Sequence, residues 1–258
     1  MSLNWQRIAH ATELDNGPLA FGSDVSASRL HAAALAGFYC FPTATYEQTL
    51  LNEMRYGADV DTGVRTIAVN DPDPYSVAWL NPDPRPVIDL TSRGAGRSMR
   101  RLARRHGQWR TTIDVAFDDV VTRCAQHRGS SWITSALRKS LRNLHDAGVA
   151  HSCEVWDDDQ LIGGVFGLRL GAVFTADSQF TAVEGAGKLA VVDLMTRFAQ
   201  SGGTLLDLQH DTPHARTLGA TAMPRSSYLT ALQRLNTQRT IISSEARSAK
   251  HIAELNTA

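Results

Sequence analysis

The sequence predicts an α+β fold in which helices pack on a mixed central sheet. Three short apolar or alternating segments with turn residues between them are typical of an antiparallel meander; they are residues 149–156, 160–169 and 172–180. A helical segment at 187–200 ends near two glycines and leads to a buried strand at 205–209, which predicts a helix–strand step after the meander. Helices that cover a sheet of this kind form a layered α+β domain.

Residues 1–90 predict a smaller and less regular α+β domain before that one. Its predicted helices lie at 26–36, with Ser26 as the N-cap, and at 45–55. Its predicted strands lie at 66–70 and 77–80. Five prolines between Pro72 and Pro86 are expected to interrupt regular structure.

Residues 91–236 show the regular periodicity of the larger domain. Besides the meander and the helix–strand step, its predicted elements are an arginine-rich helix at 97–106, a strand at 109–114, and helices at 117–127, 134–147 (capped by Thr134) and 226–235. Residues 237–258 are polar and lose this periodicity, so they predict a mobile tail or a marginal helix.

Composition limits the function classes. No apolar run approaches the roughly 18 residues of a spanning helix, and no signal-peptide pattern is present, so no membrane partner is expected. The cysteines, Cys40, Cys124 and Cys153, are odd in number and far apart, which fits neither a disulfide framework nor a metal site. A reducing cytoplasm is the expected compartment. His210 and His214 are interpreted as structural, because no third metal ligand accompanies them.

The charge is zero overall but unevenly distributed. Between Arg93 and Arg142 there are twelve basic residues and only three acidic ones, a formal charge of +9. Eleven of the twelve are arginine, whose planar guanidinium suits phosphate. This stretch predicts either a phosphate-binding surface or a solvated helix face.

Two polar residues interrupt the apolar run of the predicted strand at 205–209. Asp207 and Gln209 are two positions apart, so alternation predicts that both side chains leave the same face of the strand. A buried carboxylate and amide cost free energy unless they are paired. The pair is therefore a candidate for holding a polar substrate, and the alternative is that it satisfies a nearby helix end or loop.

Several motifs in order along residues 22–234 resemble those of the leucyl/phenylalanyl-tRNA–protein transferases. They are Asn81-Pro82-Asp83-Pro84-Arg85, Ser130-Ser131-Trp132-Ile133-Thr134, His145 to Trp156, Gly163-Gly164-Val165-Phe166-Gly167, Ser178-Gln179-Phe180, Lys188, Asp207-Leu208-Gln209 and Leu218-Gly219-Ala220. The chain departs from the family pattern at 43–75, which looks like an insertion. It also has Tyr39-Cys40-Phe41-Pro42 where the family has Phe-Pro-Trp.

The resemblance implies a GNAT-type acyltransferase fold for residues 91–236. It also implies an activity, the transfer of an aminoacyl group from tRNA to the amino terminus of a protein bearing Lys or Arg. The expected partners are aminoacyl-tRNA, as co-substrate, and the acceptor amine. No cofactor and no metal are expected, because an aminoacyl ester is already activated and aminolysis needs mainly positioning and proton transfer.

The resemblance also implies roles for individual residues. Asp207, as electrostatic or base partner, and Gln209, as orienting group, match the family's catalytic pair. The residues expected to bind the aminoacyl group and its α-ammonium are Val165, Phe174, Ala176, Asp177, Ser178, Leu194 and Leu206, of which Val165, Phe174 and Leu194 equally suit plain core packing. The residues expected to bind tRNA are Trp132, Arg93, Arg97, Arg100, Arg101, Arg104, Arg105 and Lys188.

The predicted pocket differs from the family pattern, which leaves the amino acid open. Ala176-Asp177-Ser178-Gln179-Phe180 stands where the family has Gly-Glu-Ser-Met-Phe, so the carboxylate is shorter and a methyl group is added. A change of one methylene is worth roughly 1–3 kcal/mol of discrimination.

Three other functions compete with this interpretation. The same donor could acylate a small-molecule or peptide amine in a biosynthetic pathway. An acyl-CoA-dependent N-acetyltransferase is less favoured, because Arg93-Gly94-Ala95-Gly96-Arg97-Ser98 is an imperfect pyrophosphate loop that precedes the meander. A non-catalytic RNA-binding module would not need the buried Asp207 and Gln209.

Overall fold

The computed structural model describes residues 3–9, 16–91, 101, 103–126 and 132–255. The helices of these residues include α1 (Trp5–Ala9), α2 (Ala27–Leu35), α3 (Tyr46–Asp61), α4 (Phe117–Gln126), α5 (Ser135–Asp146), α6 (Ala186–Gln200), α7 (Pro213–Leu218), α8 (Arg225–Leu235) and α9 (Ala249–Leu255). The strands are β1 (Ala20–Gly22), β2 (Tyr39–Pro42), β3 (Thr66–Ile67), β4 (Val77–Leu80), β5 (Arg85–Asp89), β6 (Arg110–Ile113), β7 (Ala150–Asp157), β8 (Gln160–Leu170), β9 (Val173–Thr181), β10 (Leu205–Asp207), β11 (Thr221–Met223) and β12 (Arg247–Ser248).

The strands form two mixed sheets, which confirms the predicted α+β class. The larger sheet has the order β11-β5-β10-β9-β8-β7-β6-β12, and the smaller one has the order β2-β4-β1-β3. In the larger sheet β9 and β10 are parallel, whereas the other neighbours are antiparallel. The GNAT-type assignment remains a prediction.

The meander and the helix–strand step that follows it form the middle of the larger sheet. β7, β8 and β9 pair in sequence as predicted, and α6 then connects β9 to the parallel strand β10. Ten of the 15 residues of α6 are buried, because the helix packs its apolar side chains on one face of the sheet. β10 pairs with β9 only along Val173–Thr175, and β9 continues to Thr181. The two strands therefore separate beyond Thr175.

Six of the predicted helices, those at 26–36, 45–55, 117–127, 134–147, 187–200 and 226–235, are found near their expected positions. The helix predicted at 97–106 lies partly outside the described residues and stays a prediction. Thr45 and Thr134 cap α3 and α5, and each threonine Oγ1 accepts a hydrogen bond from the backbone N–H three residues later. Ser26 precedes α2, but its side chain forms no capping hydrogen bond. α3 extends to Asp61, six residues beyond the predicted end.

The proline-rich segment was predicted to be irregular, and this prediction was wrong at its end. β5 contains Pro86 and lies between β10 and β11 in the larger sheet. A proline offers no N–H to a ladder, but its carbonyl can still accept, and Pro86 O accepts a hydrogen bond from Leu208 N at 3.0 Å. The strand predicted at 205–209 is also shorter, because β10 ends at Asp207.

The larger sheet takes strands from outside residues 91–236. β5 precedes that range and β12 follows it, while the domain boundaries at 90 and 236 remain predictions. The C-terminal segment packs on the sheet through Ala249 and Ile252, both buried. Arg197 on α6 also holds this segment, since its Nη1 donates a hydrogen bond to Ser243 O at 2.8 Å and another to Glu245 O.

Candidate functional site

The candidate site lies where β9 and β10 separate. Phe166 pairs with Ser178 and Gly167 pairs with Ala176, so Asp177 is an extra residue in a β-bulge. Position 167 must be glycine, because a Cβ there would lie 1.6 Å from Thr175 O. The bulge turns the Asp177 side chain toward the residues that follow β10.

Asp207, the last residue of β10, is fully buried and binds four donors. Arg85 Nε donates to Oδ1 at 2.8 Å and Arg85 Nη2 donates to Oδ2 at 2.7 Å, which makes a bidentate ion pair. Tyr228 Oη donates to Oδ2 at 2.8 Å, and Gln209 N donates to Oδ1 at 2.8 Å. The charge of this carboxylate is therefore compensated within the protein.

Arg85 lies between two tyrosine rings in the same buried cluster. Its guanidinium carbon is 4.9 Å from the ring centroid of Tyr39 and 4.7 Å from that of Tyr228. Burial alone would lower the pKa of Arg85, but attraction to the Asp207 carboxylate outweighs it and the pKa is raised. Burial raises the pKa of Tyr39 and of Tyr228, so both phenols remain protonated donors.

Gln209 reaches the site through a turn and not through strand alternation, which corrects the sequence prediction. Its backbone is in the left-handed region with φ of 60°. The bond from Gln209 N to Asp207 Oδ1 is that of an Asx-turn, in which an aspartate side chain accepts from the N–H two residues later. Gln209 is 7% exposed, and its Nε2 donates a hydrogen bond to Asp177 Oδ1 at 2.7 Å.

Asp177 accepts fewer hydrogen bonds from the described residues than Asp207 does. Its Oδ1 accepts hydrogen bonds from Gln209 Nε2 and from Thr175 Oγ1, both at 2.7 Å. Burial raises the pKa of Asp177 to about 7, with repulsion from Asp207 acting in the same direction, while the Thr175 bond, Arg85 and the Gln209 bond oppose it. The group therefore changes its charge near neutral pH.

Two cavities meet at this carboxyl group. A narrow one of about 40 Å³ is mainly apolar and lies among α2, β2, β4, α5, β8 and β9. A wider one of about 350 Å³ is open and has a mixed polar and apolar lining, which includes His210, Thr212 and Leu218. Asp177, Gln209 and Trp132 line both cavities.

The residues predicted for the aminoacyl group divide into two sets. Val165, Ala176 and Ser178 line the wider cavity beside Asp177. Phe174, Leu194 and Leu206 are 0% exposed, belong to one core cluster and line neither cavity, which is what the core-packing alternative for Phe174 and Leu194 requires. Asp207 also lines neither cavity, whereas Gln209 lines both.

The residues predicted for tRNA are only partly within the described chain. Arg93, Arg97 and Arg100 lie outside the described residues; Arg101, Arg104 and Arg105 are exposed. Trp132 is half-buried and packs edge-on to Phe41, with ring centroids 5.1 Å apart. Lys188 is half-buried in the first turn of α6, which follows Gly185.

Sequence reasoning gave no role to four residues of the site, which are Tyr39, Arg85, Thr175 and Tyr228. Arg85 had a usable signal, because it belongs to a recognised motif and a buried carboxylate requires a cation. Tyr39 lies at a departure from the family pattern, and its Oη is 3.2 Å from His210 Nε2. Burial lowers the pKa of His210, with the Arg85 charge acting in the same direction.

Neither a metal-binding cluster nor a membrane-spanning helix occurs within the described ranges. No group of three or more His, Cys, Asp and Glu side chains there has the geometry to hold a metal ion. In the same part of the chain, no helix combines the length and apolarity needed to cross a bilayer. The absence of a metal from the reaction remains a prediction.

The chain is similar in sequence to proteins named leucyl/phenylalanyl-tRNA–protein transferase. The family profile described as leucyl/phenylalanyl-tRNA protein transferase matches residues 87–233. A leucyl/phenylalanyl-tRNA–protein transferase of Pectobacterium carotovorum is 34% identical over 232 residues, which are 90% of this chain and 86% of that protein. The protein with the same name from Aeromonas hydrophila is 36% identical over 232 residues, which are 89% of this chain and 86% of that protein.

Solved structures resemble this chain less. The structure of L-PGS from Bacillus licheniformis has a TM-score of 0.40 and 10% identity, and the match covers 61% of this chain and 66% of that one. This likeness is too slight to support an argument about fold or function. The family profile covers more than half of the chain, and the relatives align along most of both lengths. The chain therefore belongs to the leucyl/phenylalanyl-tRNA–protein transferase family.

Proposed function

We propose that this protein transfers leucine or phenylalanine from aminoacyl-tRNA to the amino group at the terminus of an acceptor protein bearing Lys or Arg. Membership of the family supports the reaction class. We place the reaction at the junction of the two cavities because Gln209 Nε2 contacts Asp177 Oδ1 there. Aminolysis brings an amine and an ester carbonyl to within about 3–3.5 Å, and such a junction suits this requirement.

The wider cavity is the proposed place of the esterified end of the tRNA. Its volume of about 350 Å³ and its mixed lining suit a ribose ester together with an apolar amino-acid side chain. Trp132 lines it and offers an aromatic face on which the terminal adenine can stack. Val165 and Ala176 provide apolar contact for the amino acid, and Ser178 provides a hydroxyl group.

Gln209 is the proposed orienting group. A carboxamide nitrogen carries two hydrogens, and one of them is bound to Asp177. The second is available for the ester carbonyl, whose oxygen gains negative charge during attack. A positioned donor of this kind stabilises the transition state more than the ground state.

Asp207 is the proposed electrostatic and positioning partner of Gln209. Its carboxylate accepts from Gln209 N and so fixes the turn from which the carboxamide projects. Arg85 and Tyr228 fix the carboxylate in turn. The parallel unit β9–α6–β10 that carries this arrangement is consistent with a GNAT-type acyltransferase domain.

The basic stretch from Arg93 to Arg142 is the proposed contact with the acceptor stem. Arg101, Arg104 and Arg105 are exposed and therefore available for phosphate contacts, which give affinity without reading sequence. Lys188 at the start of α6 suits an anion as well.

The test is a panel of labelled aminoacyl-tRNAs offered with acceptors of different kinds. Leucyl-tRNA or phenylalanyl-tRNA should be consumed, and the label should appear at the amino terminus of a peptide beginning with Lys or Arg. Transfer to small amines alone would reassign the acceptor. If no aminoacyl-tRNA is consumed with peptide, amine or lysate acceptors, the proposal is wrong.

A further inference from the structure

We propose that Asp177, and not Asp207, is the general base that accepts the proton of the acceptor amine. This inference rests on the proposed function and assigns a catalytic role within the same site. It differs from the role that the sequence predicts for Asp177, which is to bind the α-ammonium group of the donor.

Access separates the two carboxyl groups. A general base must come within about 2.6–3.2 Å of the proton it removes, directly or through one water molecule. Asp207 is 0% exposed, lines neither cavity and binds Arg85, Tyr228 and Gln209 N. Asp177 is half-buried and lines both cavities. A substrate amine can therefore reach Asp177 without breaking an internal bond, whereas it cannot reach Asp207.

The two oxygens of Asp177 have different environments. Oδ1 accepts from Thr175 Oγ1 and Gln209 Nε2, and these two bonds fix the orientation of the carboxyl group. Oδ2 accepts no hydrogen bond from the described residues. One oxygen is thus held by the protein, and the other is left for a substrate proton beside the carboxamide that orients the ester.

The surrounding groups leave Asp177 as the carboxyl group suited to proton transfer near neutral pH. The titratable and charged side chains around it are Tyr39 and Cys40 on β2, Arg85 on β5, Asp207 on β10, and His210 and His214 after β10. Burial raises the pKa of Tyr39 and of Cys40, so both stay protonated near neutral pH, and burial lowers the pKa of His210 below its ordinary range. The Asp177 pKa of about 7 suits a base that works near pH 7.

The proposed step balances as follows. An acceptor ammonium first loses one proton to solvent. The neutral amine attacks the ester carbonyl carbon to form the C–N bond, and Asp177 Oδ2 takes one proton from the attacking nitrogen. The ester C–O bond then breaks, and the carboxyl group gives that proton to the departing ribose oxygen. The products are an amide, a free ribose hydroxyl and one released proton, and Asp177 is again a carboxylate.

The test uses single-turnover transfer from leucyl-tRNA at saturating enzyme, followed from about pH 5.5 to 8.5, across the Asp177 transition. The acceptor is a peptide with a terminal hydrazide, whose nitrogen is neutral over this range, so an inflection reports the enzyme and not the amine. The wild-type rate should rise through about pH 7 and then level off. D177N should lower the plateau by about 10²–10⁴-fold and remove the inflection. D177E should restore both, and the matched control D159N, in an exposed turn, should match the wild type.

A second variant keeps the inference testable if D177N fails to fold. The Thr175 hydroxyl favours the charged form of Asp177, so T175V should move the inflection to higher pH. H214Q should keep the inflection, because His214 is not its source.

The opposing outcomes are distinct. A D177N variant that keeps the wild-type inflection, or one that only weakens leucyl-tRNA binding at an unchanged single-turnover rate, overturns the assignment of Asp177 while the proposed function stands. A wild-type protein that transfers no label to any acceptor overturns both.

Discussion

Arg85 and Asp207 form a bidentate ion pair in which both side chains are almost completely buried, with relative exposures of 1% and 0%. The pair joins β5 to β10, and Tyr39 and Tyr228 cover the guanidinium. Because Gln209 N also binds this carboxylate, the pair supports the turn that presents the carboxamide to the cavities. The ion pair therefore stabilises both the candidate site and the larger sheet.

Arg85 and Asp207 should be energetically coupled, so that the effect of replacing one depends on whether the other is present. R85M leaves a buried carboxylate without its cation, which costs about 3–5 kcal/mol in the free energy of unfolding. R85M/D207N removes the uncompensated charge, so its loss should be smaller than the sum of the losses of the single variants. Urea unfolding of the wild type, both single variants and the double variant measures this coupling; strictly additive losses would contradict it.

Gln209 offers a way to separate function from stability. Its φ of 60° costs a residue with a side chain about 1–2 kcal/mol, and glycine avoids this cost. Q209G should therefore be more stable than Q209A by about 1 kcal/mol. Both variants should lose about 10²–10³-fold in the rate of transfer, because both lack the donor to the carbonyl oxygen. A Q209A variant with the wild-type transfer rate would remove Gln209 from the mechanism.

The bulge at Asp177 depends on the glycine opposite it. In G167A the new methyl group would collide with Thr175 O, so the strands must shift, and we expect a loss of at least about 1–3 kcal/mol in the free energy of unfolding. G57A is the matched control. A Cβ at Gly57, inside α3, would meet nothing closer than 3.9 Å, and alanine there should stabilise by up to about 1 kcal/mol. Equal effects of the two substitutions would show that the close approach at Gly167 is not a constraint.

Asp177 should make the folded protein less stable as pH rises. The pKa of Asp177 is about 7 in the folded protein, against an ordinary value of 3.8 for an aspartate, so between these values the folded state holds a proton that the unfolded state has lost. Stability from this group is present below about pH 4 and is lost as pH rises through about 7. When urea unfolding is measured between about pH 5 and 8, the free energy of unfolding of D177N should decline less with pH than that of the wild type. The decline in D159N should match that of the wild type. An identical decline in wild type and D177N would contradict the raised pKa.

The exposed arginines should contribute affinity for tRNA. Reversing Arg101, Arg104 and Arg105 to glutamate should weaken binding and make it less dependent on salt, since each lost phosphate contact lowers the slope of log K against log[salt] by about 0.9 for a duplex. The single-turnover rate at saturating tRNA should change little, because these residues are not expected to touch the ester. R55E, a reversal of an exposed arginine on α3, should leave the salt slope unchanged. An unchanged slope in the triple variant would exclude this surface.

The sequence predicted the elements that depend on local periodicity. The meander, α4, α5, α6 and α8 follow from apolar spacing and end residues, and their ends agree within a few positions. β5 was missed because a proline-rich segment reads locally as irregular, while its place in the sheet is fixed by partners on β10 and β11. Short elements such as β1 and β11 have too few residues to show a period.

The candidate site was predicted in part, because residue types are visible in a sequence and contacts are not. Motif resemblance identified Asp177, Asp207 and Gln209, which the structure brings together. It did not indicate that a positive φ aims Gln209 or that Asp177 occupies a bulge. Arg85 binds Asp207 across 122 positions of sequence, and no local pattern reports such a pairing.

That separation along the chain also bears on when the protein becomes active during its own synthesis. Arg85 emerges from the ribosome long before Asp207, and Tyr228 emerges 21 residues after Asp207. Until the last of them is released, the carboxylate has no complete set of donors and the carboxamide has no fixed turn. A nascent chain, surrounded by charged tRNAs at the place of translation, therefore lacks the complete donor set of Asp207 until Tyr228 has left the ribosome.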